Sequence, residues 1–213
     1  RPEWASASGY FNALETKGIG LNTAFFVGHG AVRHCVMGES IEVPNMSQMA
    51  EMKALVKQQM EEGAYGLSPG LTYVPGSFAS TDEITELVSV TSPYDGIYAT
   101  HMRNYSASIM EALDESIKIG QRALVPVHVS HITPCPPKTG IASHLLDRIN
   151  EARGEGMDVT ADTEFYSTGS TTMKALLPPD VLVGGNDQMI EALSQPELRK
   201  RMWREIEARG SEL

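Results

Sequence analysis

Short apolar runs alternate with longer amphipathic ones along the chain. The run "NTAFFVGHG" (22–30) predicts a buried strand ending in glycine. Residues 47–63 predict a helix: Met49, Met52, Leu55, Val56 and Met60 fall at helical spacing, and Gly63 suits its C-terminal end. "AYGLS" (64–68) reads as a short strand, and the glycine- and proline-rich "PGLTYVPGSFAS" reads as a loop. Ser80 and Glu83 have the spacing of a capping box before "ITELVSV". "GIYATHMR" (96–103) is a third strand. The helix after it carries Ile109, Leu113 and Ile117 on one face. "VPVHVSHIT" (125–133) and "MDVTADTEF" (157–165) are further strands, with a helix near 140–154 between them. A charged helical tail covers roughly 186–209.

Strands alternating with helices define an α/β class with a parallel sheet and right-handed crossovers. Two architectures satisfy that pattern, a doubly wound sheet and a (β/α)8 barrel. No GxGxxG follows a strand and no P-loop is present. A complete barrel takes ~250 residues and eight strands, so about five βα units make part of one.

In parallel α/β folds the chemistry lies at the carboxyl ends of the strands. In order, those ends are His29, Ser68, His101 with Arg103, His131, and Asp162 with Glu164. His101 and His131 are one βα unit apart, so adjacent strands would bring two imidazoles to one rim. Neutral imidazole is a common zinc ligand, and a carboxylate such as Asp162 could ligate or orient one. A lone strand histidine is more often structural than functional, and the repeat at equivalent positions reverses that weighting. His128 lies three residues before His131, so strand alternation sets it on the opposite face, packed against a helix. His34 and His144 read as surface or helix-packing residues, and Cys35 and Cys135 as inert.

Composition narrows the function. The formal net charge is −10, which argues against a nucleic-acid partner. The 213 residues are 41% hydrophobic and 21% charged, as in ordinary globular proteins. No apolar run approaches the ~20 residues of a membrane span, and the polar start lacks a signal-peptide pattern. Two cysteines outside any CxxC pair suit a reducing, cytoplasmic setting.

The segments "VGHG", "GLSPGLTY", "YATHMR", "VPVHVSHI" and "DVTADTEFYSTGST" resemble, in order and spacing, the N-acyl-D-amino-acid deacylases of the amidohydrolase superfamily. The resemblance covers nearly the whole chain. It implies a (β/α)8 barrel with a small β-sandwich built from both termini. Residues 1–213 would be the central segment of that single domain, strands three to seven. It implies Zn2+ bound by His101 and His131. The family's upstream cysteine, the first-strand His-x-His of the wider superfamily and the family's general-base aspartate would lie outside these residues. It implies that Tyr73, Arg103 and Ser170 contact the substrate, a small N-acyl amino acid whose amide is cleaved by a metal-activated water. Two positions depart from the family pattern: Thr133 stands where lysine is frequent, and Glu164-Phe165-Tyr166 where Tyr-Pro-Tyr is frequent. A cyclic amidohydrolase of the dihydroorotase or hydantoinase kind is an alternative, although "AYGLS" lacks the metal-bridging lysine such enzymes use. A non-catalytic fragment or degenerate homologue without a complete metal site is another.

Overall fold

The computed structural model describes residues 4–135, 138–166 and 171–209. Five short strands form one parallel sheet: β1 (Val27–Gly28), β2 (Gly66–Ser68), β3 (Ile97–Thr100), β4 (Val127–Val129) and β5 (Val159–Ala161). Their spatial order is β1-β2-β3-β4-β5. A doubly wound sheet reverses direction at a switch point. Here each strand joins on the same side as the last. Right-handed crossovers then put the connecting helices on one face, and the sheet curls with that face outward. The chain is therefore part of a (β/α)8 barrel.

The register separates an outer from an inner row. Val27, Leu67, Tyr98, Val127 and Val159 are cross-strand neighbours, and all five are buried. They meet helices that present apolar stripes at the expected spacing. Helix α3 (Met46–Glu61) buries Met52, Val56 and Met60. Helix α5 (Ile109–Ala123) buries Ile109, Leu113 and Ile117 among others. The inner row runs Ala99, His128, Thr160 and is more polar, as a barrel lumen near a site would be. At Gly66 the sheet tolerates no side chain, because an added Cβ would lie 1.9 Å from the Ile97 carbonyl oxygen.

All the strands are shorter than the pattern reading, and four local departures have clear causes. The first strand is only two residues long, since residues 22–24 are exposed and the helix α2 (His29–Met37) begins at once. Helix α3 starts one residue earlier than read, because Asn45 and Gln48 cap it reciprocally. The capping box of helix α4 (Thr81–Ser89) is half formed: Ser80 accepts from the Glu83 amide, but the Glu83 carboxylate turns inward. The tail is two helices, α7 (Gly185–Ser194) and α8 (Pro196–Arg209), because Pro196 cannot continue the first and is well suited to the opening turn of the second. At the other end, α1 (Ala7–Lys17) packs Tyr10 and Phe11 against Phe25. Helix α6 (Ala142–Gly154) joins β4 to β5. Among the described residues, no helix is long and apolar enough to cross a membrane.

The inward turn of Glu83 builds a buried ionic cluster. Its carboxylate receives Arg33 Nη1 at 2.5 Å and faces His29 Nε2 at 3.1 Å. Arg33 also donates to the carbonyls of Ser40 and Glu42, at 3.1 and 2.8 Å. All three side chains are buried, so His29 is no rim group. It braces α2 against α4, with its Nδ1 close to Gly76 in the loop after β2. Burial alone would raise the Glu83 pKa. Hydrogen bonds from His29 and Arg33, with the Arg33 charge, outweigh it and hold the carboxyl below its ordinary range.

Removing Glu83 leaves a guanidinium without a counter-charge inside the core. Glu83→Ala is expected to destabilise the protein by about 3–5 kcal/mol, read from urea unfolding. The folded pKa lies below the unfolded value of about 4.3. The carboxylate's stabilisation is therefore complete above that pH and fades as pH falls toward and through the folded value. Glu83→Gln should flatten that acid-side decline in an unfolding series across pH.

Candidate metal centre

Strand β3 delivers His101 with little freedom. The His101 amide donates to the Pro69 carbonyl, and its carbonyl accepts from the Leu71 amide, each at 3.0 Å. The loop after β2 thus extends the sheet by one bridge, between Gly70 and His101. Alternation from Ala99 sets the His101 side chain on the inner face.

His131 reaches the same place by a different route. Simple alternation from Val129 would point it outward. Instead the strand ends at Val129, and His131 takes φ 38°, a left-handed conformation rare for a residue with a Cβ. That turn swings the imidazole into the lumen. His101 Nδ1 and His131 Nε2 stand 3.0 Å apart. His128 faces the lumen too, not a helix as alternation relative to His131 suggested. Its Nδ1 meets Thr160 Oγ1 at 2.8 Å and its Nε2 meets Asp162 Oδ2 at 2.9 Å.

The surroundings suit a pair of ligand nitrogens. His101 Nε2 lies 2.8 Å from Thr72 Oγ1. An Nε2–H donated to that hydroxyl leaves Nδ1 with its lone pair free. Burial, with the neighbouring His131, lowers the His101 pKa to about 4, so the imidazole stays neutral at ordinary pH. Tyr73 and Tyr105 flank the His101 ring, each with centroids 4.9 Å away. The Tyr105 hydroxyl accepts from the Met102 amide at 2.7 Å and donates to the Ser130 carbonyl at 3.1 Å. Two nitrogens sharing a tetrahedral zinc at ~2.0–2.1 Å would sit ~3.3–3.4 Å apart, so the pair fits a metal with a few tenths of an ångström of widening. Among the described residues, no three His, Cys, Asp or Glu side chains converge as a metal site.

The residues assigned to substrate divide. Tyr73 stands at the site, its hydroxyl 3.3 Å from Thr171 Oγ1. A cleft of about 360 Å³ adjoins it, lined by Thr72, Tyr73, Glu39, Asn186 and the cation Lys174 among the described residues. Arg103 does not offer a free guanidinium. Nε and Nη2 grip the Glu115 carboxylate at 2.9 and 3.0 Å. Nη1 donates to the Ser77 carbonyl at 3.1 Å and Nη2 to the Ala79 carbonyl at 2.9 Å. It clamps the loop that carries Thr72 and Tyr73. Ser170 lies outside the described residues. Thr133 and Glu164 are exposed, and Thr133 Oγ1 meets Thr163 Oγ1 at 3.0 Å. His34 and His144 are exposed, as the sequence suggested.

A one-sided run of βα units with paired imidazoles at the strand ends is the architecture of the amidohydrolase barrels. The chain is 34% identical over 200 residues to a D-aminoacylase of Alcaligenes xylosoxydans xylosoxydans, spanning 93% of this chain and 40% of that protein. It is 31% identical over 174 residues to an N-acyl-D-glutamate deacylase of the same organism, spanning 81% and 36%. Among solved structures, a D-aminoacylase described with a binuclear metal centre superposes with a TM-score of 0.77 at 33% identity, covering 82% of this chain and 37% of that one. An N-acyl-D-glutamate deacylase from Bordetella bronchiseptica, with zinc and a phosphonate mimic of the tetrahedral intermediate, superposes with a TM-score of 0.74 at 29% identity, covering 78% and 35%. No family model matches the chain. The chain belongs to the N-acyl-D-amino-acid deacylase family of the amidohydrolases, and it spans about two fifths of the length of the D-aminoacylase it matches.

If Arg103 holds the loop, cutting it should free residues 69–80. Arg103→Ala leaves the Ser77 and Ala79 carbonyls without this donor and Glu115 with only the Thr81 hydroxyl, a cost of about 1–3 kcal/mol. It should also expose the loop to proteolysis near Tyr73. Lysine cannot reproduce the fork, so Arg103→Lys should behave like alanine in the same digest.

Proposed function

We propose that the protein hydrolyses the amide bond of N-acyl-D-amino acids at a zinc centre whose ligands include His101 Nδ1 and His131 Nε2. The facing of these two nitrogens at 3.0 Å, with Thr72 Oγ1 in place to accept from His101 Nε2–H, carries this reading. A bound zinc ion would supply Lewis acidity and a hydroxide-like water at neutral pH. His101 stays neutral and rigid, so its lone pair costs no proton. Tyr73 can donate its hydroxyl to the amide carbonyl as negative charge develops there. Lys174, whose Nζ donates to Asn186 Oδ1 at 2.6 Å, lines the same cleft as Tyr73 and offers a positive charge for the substrate carboxylate. Arg103 serves the substrate through the loop that it clamps.

Residues 1–213 act in this reading as the central part of the barrel, with further metal ligands and the general-base aspartate supplied by the rest of the protein. The substrate is a small molecule rather than a nucleic acid or a membrane surface. Two free cysteines, Cys35 and Cys135, favour a cytoplasmic setting.

The test uses protein expressed from its complete gene. Zinc content is measured by mass spectrometry and turnover with N-acetyl-D-methionine and N-acetyl-D-glutamate. Zinc retention and release of the D-amino acid but not its L-enantiomer are expected. His101→Ala and His131→Ala should lose most of the zinc and the turnover. Metal-free turnover, or an unaltered His101→Ala enzyme, would refute the proposal.

A further inference from the structure

The turn at His131 is the least ordinary backbone near the site, and one residue holds most of it. Several backbone bonds hold the turn. The Ser130 amide donates to the Thr100 carbonyl at 3.0 Å, and the Ser130 carbonyl accepts from Tyr105. The Thr133 amide closes onto the His131 carbonyl at 2.7 Å. The remaining links all involve Asp162. Its amide donates to the Val129 carbonyl at 3.1 Å, and its carbonyl accepts from the Ile132 amide at 2.9 Å. Its Oδ1 accepts from the His131 amide itself. Its Oδ2 faces His128 Nε2 at 2.9 Å, and His128 is fixed in turn by Thr160.

The side-chain bond matters because of where that amide points. A left-handed residue at a strand end turns its N–H out of the ladder, where it needs an acceptor other than the neighbouring backbone. Asp162 Oδ1, from the neighbouring strand, provides that acceptor. A straight strand at 131 would send the imidazole outward, away from His101.

We infer that Asp162, braced by His128, is a positioning residue that holds the left-handed turn at His131 and so aims its imidazole at the metal. This rests on the metal-centre reading above. Asp162 does so through a neutral hydrogen-bond role at Oδ1, not as a metal ligand or a base. Asparagine can fill that role: its Oδ1 still accepts from the His131 amide, and its NH2 can donate to His128 Nε2.

The test compares zinc affinity, by chelator competition, in protein from the complete gene. Asp162→Ala should weaken zinc binding about 10–100-fold, the range for losing a group that orients a ligating histidine. Asp162→Asn should stay close to wild type, and His128→Ala should fall between the two. Rescue by asparagine is the readout that mere stability would not produce, and it stands even if the alanine variant folds poorly. Asparagine as weak as alanine would overturn the inference, because the charge would then be the working element. An alanine variant with wild-type affinity would overturn it too. Failure of the wild-type protein to bind zinc would refute the metal centre itself, a different result.

Discussion

The site depends on one backbone constraint, the left-handed turn at His131. Two adjacent parallel strands can each offer a histidine to a shared rim. They do not by themselves make the nitrogens face each other. His101 arrives in the lumen by alternation, whereas His131 arrives only because its strand stops two residues early and the chain turns at φ 38°. A residue with a Cβ occupies that region at a cost, which persists where surrounding bonds over-determine it. Here Asp162, Tyr105 and the β3 backbone do so together.

The rest of the fold serves that geometry. Sequential strand addition puts helices on one face and leaves the inner face for polar groups. The buried cluster of His29, Arg33 and Glu83 ties α2 to α4 beneath the loop after β2. Arg103 and Glu115 tie the same loop to α5 from the other side. Between these two clamps the loop carries Thr72 onto His101 Nε2 and Tyr73 beside its ring. Several ion pairs therefore work at a distance from the chemistry, holding the groups that would perform it.

Much of this was legible in the sequence, for stated reasons. Helix faces were, because the stripe of Ile109, Leu113 and Ile117 reflects a fixed period and a single buried side. The meeting of His101 and His131 at one rim was, because one βα unit separates them, although the register sets His131 one residue beyond the level of His101. Strand lengths were not: residues 22–26, with Ala24, Phe25 and Phe26, look like a strand, yet a ladder requires a neighbour, and only Val27–Gly28 pairs with β2. The facing of His128 was missed because alternation was counted through to His131, whereas the count ends at Val129. Arg103 looked like a substrate group because its partners, two loop carbonyls and Glu115, are set by tertiary structure and leave no spacing signature. The double tail helix was within reach, since Pro196 marks the break.

The most direct measurement is anomalous diffraction at the zinc edge from crystals of the complete gene product grown with zinc. The account requires a peak within about 2.0–2.1 Å of both His101 Nδ1 and His131 Nε2, with His131 in its left-handed turn. A peak elsewhere, or a His131 that points away from His101 with no metal between them, would contradict it.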